Sequence, residues 1–114
     1  MPFIDLKTTA PIPPEKEAQL RAAFGRDIAC LRGKSEQWLM LNFSENCRMA
    51  FRGAPTPDLA MLEVKIFGSA SASEYDRLTA ALTDSVRQAL GVSPDRIYIR
   101  YEEGELWGYN GSNF

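Results

Sequence analysis

The sequence predicts an α/β domain of two β-α-β units, spanning residues 1–114 as a single domain. Together the units give a four-stranded mixed sheet with both helices on one face. Three observations carry this reading. Alternating apolar and polar residues give way to apolar residues at helical spacing, and this happens twice along the chain. Each predicted helix closes on a glycine just ahead of its following strand. The two halves are about fifty residues each, the length of a β-α-β unit with one extra strand.

The first strand is "PFIDLKT" (2–8), with Ile4 and Leu6 on one side and Asp5 and Lys7 on the other. Pro13 and Pro14 suit the first turn of a helix, where a missing N–H costs nothing. In residues 15–33, Leu20, Ala23, Phe24, Ile28 and Leu31 share a helical face, and Gly33 is the predicted stop. "QWLMLNFS" (37–44) reads as the second strand. "CRMAF" (47–51) reads as a short third strand, paired to it across "EN". "LAMLEVKIFG" (59–68) is the next, with Leu62, Val64 and Ile66 facing one way and Glu63 and Lys65 the other. Ser71 and Glu74 fit a capping box for a second helix, striped by Tyr75, Leu78, Leu82, Val86 and Ala89 and ended by Gly91. "RIYIRYE" (96–102) is the last long strand, before an aromatic, glycine-rich tail in which Asn110 and Gly111 make a turn.

One sheet face is left without helices. It carries Glu63, Lys65, Tyr98 and Arg100, but also Trp38, Met40, Met61 and Phe67. That surface is too apolar to stay wet, so the residues themselves predict oligomerisation through the bare sheet.

Composition narrows the chemistry. With 45% hydrophobic and 25% charged residues, the chain can build an ordinary core. A net charge of −2, with no basic stripe, argues against nucleic acid. No apolar run is long enough to span a membrane, and no signal peptide opens the chain, so the expected location is the cytoplasm. Cys30 and Cys47 read as reduced thiols. There is no histidine, which removes the usual general base, the common nucleophilic triads and most transition-metal sites.

Pro2 then has two readings. It is a proline tolerated where a strand begins. Alternatively, removal of Met1 makes it a secondary amine that serves as a base. An N-terminal amine titrates near about 7.7–8.0, and a secondary amine is intrinsically more basic. Burial in an apolar pocket, or a cation nearby, lowers that value. Lys34 likewise reads either as a solvated helix-end cation or as an anchor for a carboxylate. Trp38, Tyr109 and Phe114 read as core or interface aromatics, or as walls for a flat ring.

The start "MPF", the segments "GKSEQWLML" and "IFG", the run "SPDRIYIRY" and the tail "WGYNGSNF" resemble the macrophage migration inhibitory factor family of the tautomerase superfamily. The resemblance covers nearly the whole chain in order and spacing. It implies a homotrimer and a cofactor-free, metal-free keto–enol tautomerase of phenylpyruvate-like and dopachrome-like acids. In that pattern Pro2 matches the base and Lys34 the lysine that holds the substrate carboxylate. Phe67 falls where a backbone N–H meets the substrate, and Tyr98 matches a tyrosine lent by a neighbouring subunit. Trp38, Tyr109 and Phe114 fall at the aromatic rim. Arg100 stands where the family has asparagine, which implies either a dicarboxylate preference or a subunit contact. "PDLAML" lacks the Cys-x-x-Cys of the family's best-known member, so thiol redox chemistry is not implied. The resemblance also offers a rival, a cytokine-like protein exported without a signal peptide and acting on a receptor.

Overall fold

The computed structural model describes residues 1–113. Its main sheet has four strands: β1 (Pro2–Thr8), β2 (Met40–Ser44), β3 (Ala60–Phe67) and β4 (Ile97–Gly104). Their order is β2-β1-β3-β4. β1 runs parallel to β2 and antiparallel to β3, and β3 runs parallel to β4, so the sheet is mixed as expected. Two helices, α1 (Pro14–Asp27) and α2 (Ala72–Leu90), provide the crossovers. A two-stranded hairpin, β5 (Gly108–Tyr109) and β6 (Ser112–Asn113), ends the described chain.

Alternation in the strands decides what is buried. Ile4 and Leu6 of β1, and Leu62, Val64 and Ile66 of β3, are at most 1% exposed and meet Leu20 and Phe24 of α1 and Leu78, Leu82 and Val86 of α2. Phe24 also stacks on Phe43 of β2. Thr8, the buried polar residue of this layer, donates to the Leu59 carbonyl and accepts from the Ala10 amide, so its burial leaves nothing unpaired.

Both helices start as the sequence indicates. Pro14 opens α1, with Glu15 and Glu17 in the first turn where the helix dipole favours anions. Ser71 and Glu74 close a full capping box on α2, and Gly91 ends it at φ 72°. Cys30 and Cys47 are free thiols.

Three expectations are corrected. α1 stops at Asp27 rather than running to Gly33, and the chain tightens into a 3₁₀ turn over Ile28–Cys30. Ile28 and Leu31 still reach the core, because a spacing of three fits a 3₁₀ turn as well as an α-helix. The second strand begins at Met40, not residue 37, because Glu36–Trp38 form another 3₁₀ turn. "CRMAF" is not a strand. Asn46, at φ 53°, turns the chain, and the amides of Asn46 and Cys47 donate to the carbonyls of Ala10, just past β1, and Thr8, its last residue. Phe51 only bridges to Ala54 around a tight Arg52–Gly53 turn.

The face away from the helices is open. Its rows follow from the register: Ser44, Lys7, Met61 and Tyr98; then Asn42, Asp5, Glu63 and Arg100; then Met40, Phe3, Lys65 and Glu102. Lys7 pairs with Asp5 at 2.5 Å and approaches Glu63 at 3.7 Å. Met40 is 67% exposed and Tyr98 62% exposed on this face. Among the described residues, no helix is long and apolar enough to cross a membrane.

Candidate active site

The N-terminus of β1 sits at one end of the sheet, over two adjoining cavities. One, of about 460 Å³, is lined by Met1, Trp38, Tyr109, Asn110 and Ser112. The other, of about 570 Å³, has Met1, Pro2, Met40, Lys65, Trp107 and Tyr109 among its walls. Pro2 is buried and pairs with Ile66 across the ladder. Proline is tolerated here because the missing N–H falls at the first position of the strand.

Met1 stands inside this space. Its carbonyl accepts the Phe67 amide at 3.1 Å. Its α-amine is held below the ordinary value, chiefly by burial and secondly by the Lys34 ammonium. Lys34 reaches the same end of the sheet from the turn after α1. Its Nζ donates to the Phe67 carbonyl at 2.7 Å and lies 6.0 Å from the Phe67 ring centre. That bond uses one of three ammonium donors and leaves two for a ligand.

The aromatic wall depends on local turns. The 3₁₀ turn at Glu36–Trp38 puts Trp38 ahead of β2 rather than in it. The tail folds back as a hairpin because Asn110 and Gly111 take φ 51° and 88°, the left-handed pair a two-residue hairpin turn requires. Tyr109 then meets Trp38 edge-on, with ring centres 5.4 Å apart and planes at 88°. Phe114 lies outside the described residues.

Tyr98 and Arg100 stand elsewhere. Tyr98 pairs with Met61, whereas Pro2 pairs with Ile66 on the same strand. That separation is about 16 Å along β3. Tyr98 packs instead on Phe51, at 5.3 Å, and Arg100 approaches Glu102 at 3.7 Å. One chain therefore gathers Pro2, Lys34, Phe67, Trp38 and Tyr109, and leaves Tyr98 and Arg100 on the open face. Sequence reasoning missed Trp107 as a cavity wall. The signal was there, since it is one of only two tryptophans and adjoins Gly108 in the aromatic tail. Among the described residues, no cluster of ligating side chains fits a metal ion.

The profile of the family described as Macrophage migration inhibitory factor (MIF) matches residues 1–114. The chain belongs to the macrophage migration inhibitory factor family. A solved structure from this family, MIF2 of Leishmania major, superposes with a TM-score of 0.93 at 29% identity, covering 100% of this chain and 97% of that one. A D-dopachrome decarboxylase of Gallus gallus is 28% identical over 110 residues, 94% of this chain and 90% of that protein. A fused 4-OT protein solved as a symmetric trimer shares the fold, with a TM-score of 0.84 at 13% identity over 96% of this chain and 93% of that one. With these relatives, the chain carries a function of the migration inhibitory factor and tautomerase type.

Proposed function

We propose that the chain is a cofactor-free keto–enol tautomerase of phenylpyruvate-like acids, with Pro2 as the base once Met1 is removed. The observation that carries this reading is the position of Met1. The bond that makes Pro2 an amide lies in the cavity, with its carbonyl on the Phe67 amide and the α-amine next to Lys34. Removing Met1 exchanges that carbonyl for room and leaves a basic nitrogen in its place.

The chemistry then needs few parts. The neutral Pro2 amine takes the proton from the enol oxygen, and its ammonium returns a proton to the substrate's C3, completing the move from enol to ketone. Lys34 holds the carboxylate, and the Phe67 amide donates to a substrate oxygen in place of the Met1 carbonyl. Trp38 and Tyr109 cover the ring faces. Burial and the Lys34 charge both favour the neutral form of the amine, so the reaction requires neither histidine nor metal.

In the same reading the active form is a homotrimer assembled through the open sheet face. The exposure of Met40 and Tyr98 on that face supports this. A neighbouring copy supplies Tyr98 and Arg100, and Arg100 adds a second cation for substrates with another acidic group. Pro2→Gly should remove most phenylpyruvate enol–keto turnover while the oligomer stays intact. Wild-type turnover by that variant would sink the assignment. Intact-mass measurement on native protein decides the companion point. Retained Met1 would favour the binding or signalling reading of this fold.

A further inference from the structure

Lys34 is the last residue of a four-residue turn. Its own amide donates to the Leu31 carbonyl at 3.0 Å, and Gly33 sits at φ 79°, a conformation glycine reaches without steric cost. The side chain is long and flexible, so where the ammonium points depends on how firmly this turn is held.

The turn is held from a distant element. The Arg32 amide donates to Glu74 Oε2 at 2.6 Å, across 42 residues of sequence. The other oxygen, Oε1, accepts the Ser71 amide at 2.9 Å. The Ser71 hydroxyl in turn accepts the Glu74 amide at 3.2 Å. Closing a capping box needs one carboxylate oxygen, and the second is spent on the lysine turn. The first turn of α2 is itself fixed, because the Tyr75 hydroxyl donates to Glu103 of β4, which also accepts the Ala70 amide. Glu74 therefore links a braced helix end to the turn that presents Lys34. Its carboxyl is pushed down to about 2, first by the Arg32 amide and then by Ser71, so the link stays ionised across the working range.

We propose that Glu74 is a positioning residue for Lys34, tethering the Leu31–Lys34 turn so that the ammonium meets a substrate carboxylate without first being ordered. This rests on the reading of Lys34 as the carboxylate anchor. Releasing the tether leaves the charge in place but makes binding bear the ordering of the turn, which weakens affinity for anions and leaves neutral ligands alone.

The test uses the full chain, processed at its N-terminus, and a ligand that cannot turn over. Cinnamate is a flat aryl carboxylate, and cinnamamide is its neutral counterpart. Binding of each is read by tryptophan fluorescence. Glu74→Ala should weaken cinnamate about three- to tenfold and leave cinnamamide unchanged. Ser71→Ala breaks the helix cap but keeps the Glu74–Arg32 bond, so it should lower thermal stability and leave cinnamate affinity unaltered. Lys34→Ala should also weaken cinnamate selectively. If Lys34→Ala weakens cinnamate and Glu74→Ala does not, the tether has no positioning role and the reading of Lys34 stands. If Glu74→Ala weakens both ligands equally, or Ser71→Ala matches it, its role is structural. If Lys34→Ala leaves cinnamate unaffected, the anchor itself is misassigned and the proposal falls with it.

Discussion

Replacing Lys34 with alanine tests the site on two independent axes. The first is substrate binding. Lys34 has one donor on the Phe67 carbonyl and two left for a carboxylate. A charge-assisted hydrogen bond is worth roughly 1.5–3 kcal/mol, and partial exposure of the side chain places Lys34 at the lower end. The expected rise in KM for phenylpyruvate is therefore about ten- to thirtyfold. The methyl ester of the same enol has no carboxylate to lose and should keep its KM. The second axis is the base. With Met1 attached, the Lys34 charge is one of two causes that lower the Met1 α-amine, after burial, and the Pro2 amine freed by removing Met1 is expected to feel the same charge. A lowered amine is neutral, and active, above its pKa, and activity is lost as pH falls through it. Removing Lys34 takes away the repulsion, so the pKa rises and the acid limb of kcat/KM moves to higher pH. Steady-state assays of acid and ester across pH read both effects. An equal loss for acid and ester, or an acid limb that stays put or moves down, would refute the arrangement.

Two other expectations follow from the fold. Glu74 has its carboxyl pushed from 4.5 down to about 2. A depressed carboxylate contributes stability that is present above its unfolded value and is lost as pH falls through its folded value. Chemical denaturation at a series of pH values should thus show wild type losing stability between about 4.5 and 2. Glu74→Gln should lose less over the same window, and parallel curves would show that the carboxylate contributes nothing. On the open face, Met40→Asp puts a charge on an exposed apolar position beside Phe3. Sedimentation should show the proposed trimer giving way to monomer, whereas an oligomer undisturbed by the charge would place the subunit contact elsewhere.

The strands and α2 were legible because one physical pattern governed each. Ile4 and Leu6 alternate with Asp5 and Lys7 and therefore face a helix layer and an open side. Ser71, Glu74 and Gly91 are local signals, each acting within one turn of the chain. The errors fell where two patterns shared one spacing. Ile28 and Leu31 satisfy an α-helix and a 3₁₀ turn alike, so the end of α1 was set by packing onto the core rather than by Gly33. "CRMAF" has strand-like composition, but its first amide is taken by Thr8 of β1, a tertiary partner that composition does not reveal.

The site divides along a similar line. Pro2, Lys34, Trp38, Phe67 and Tyr109 were named from the sequence, and the structure gathers them at one end of the sheet. The Glu74–Arg32 bond was not named, because it joins residues 42 apart and Glu74 already had a sufficient local explanation as a capping residue. Tyr98 shows a different limit. Its distance from Pro2 follows from strand register, since Met61 and Ile66 are their respective partners on β3. A single sheet cannot shorten that distance, because sliding β4 to bring Tyr98 level with Pro2 by an odd number of residues would turn its apolar face outward. If Tyr98 takes part in the chemistry, it does so from a second copy. Under that condition the open face is part of the active site's construction, and the apolar residues exposed there bear on catalysis as well as on solubility.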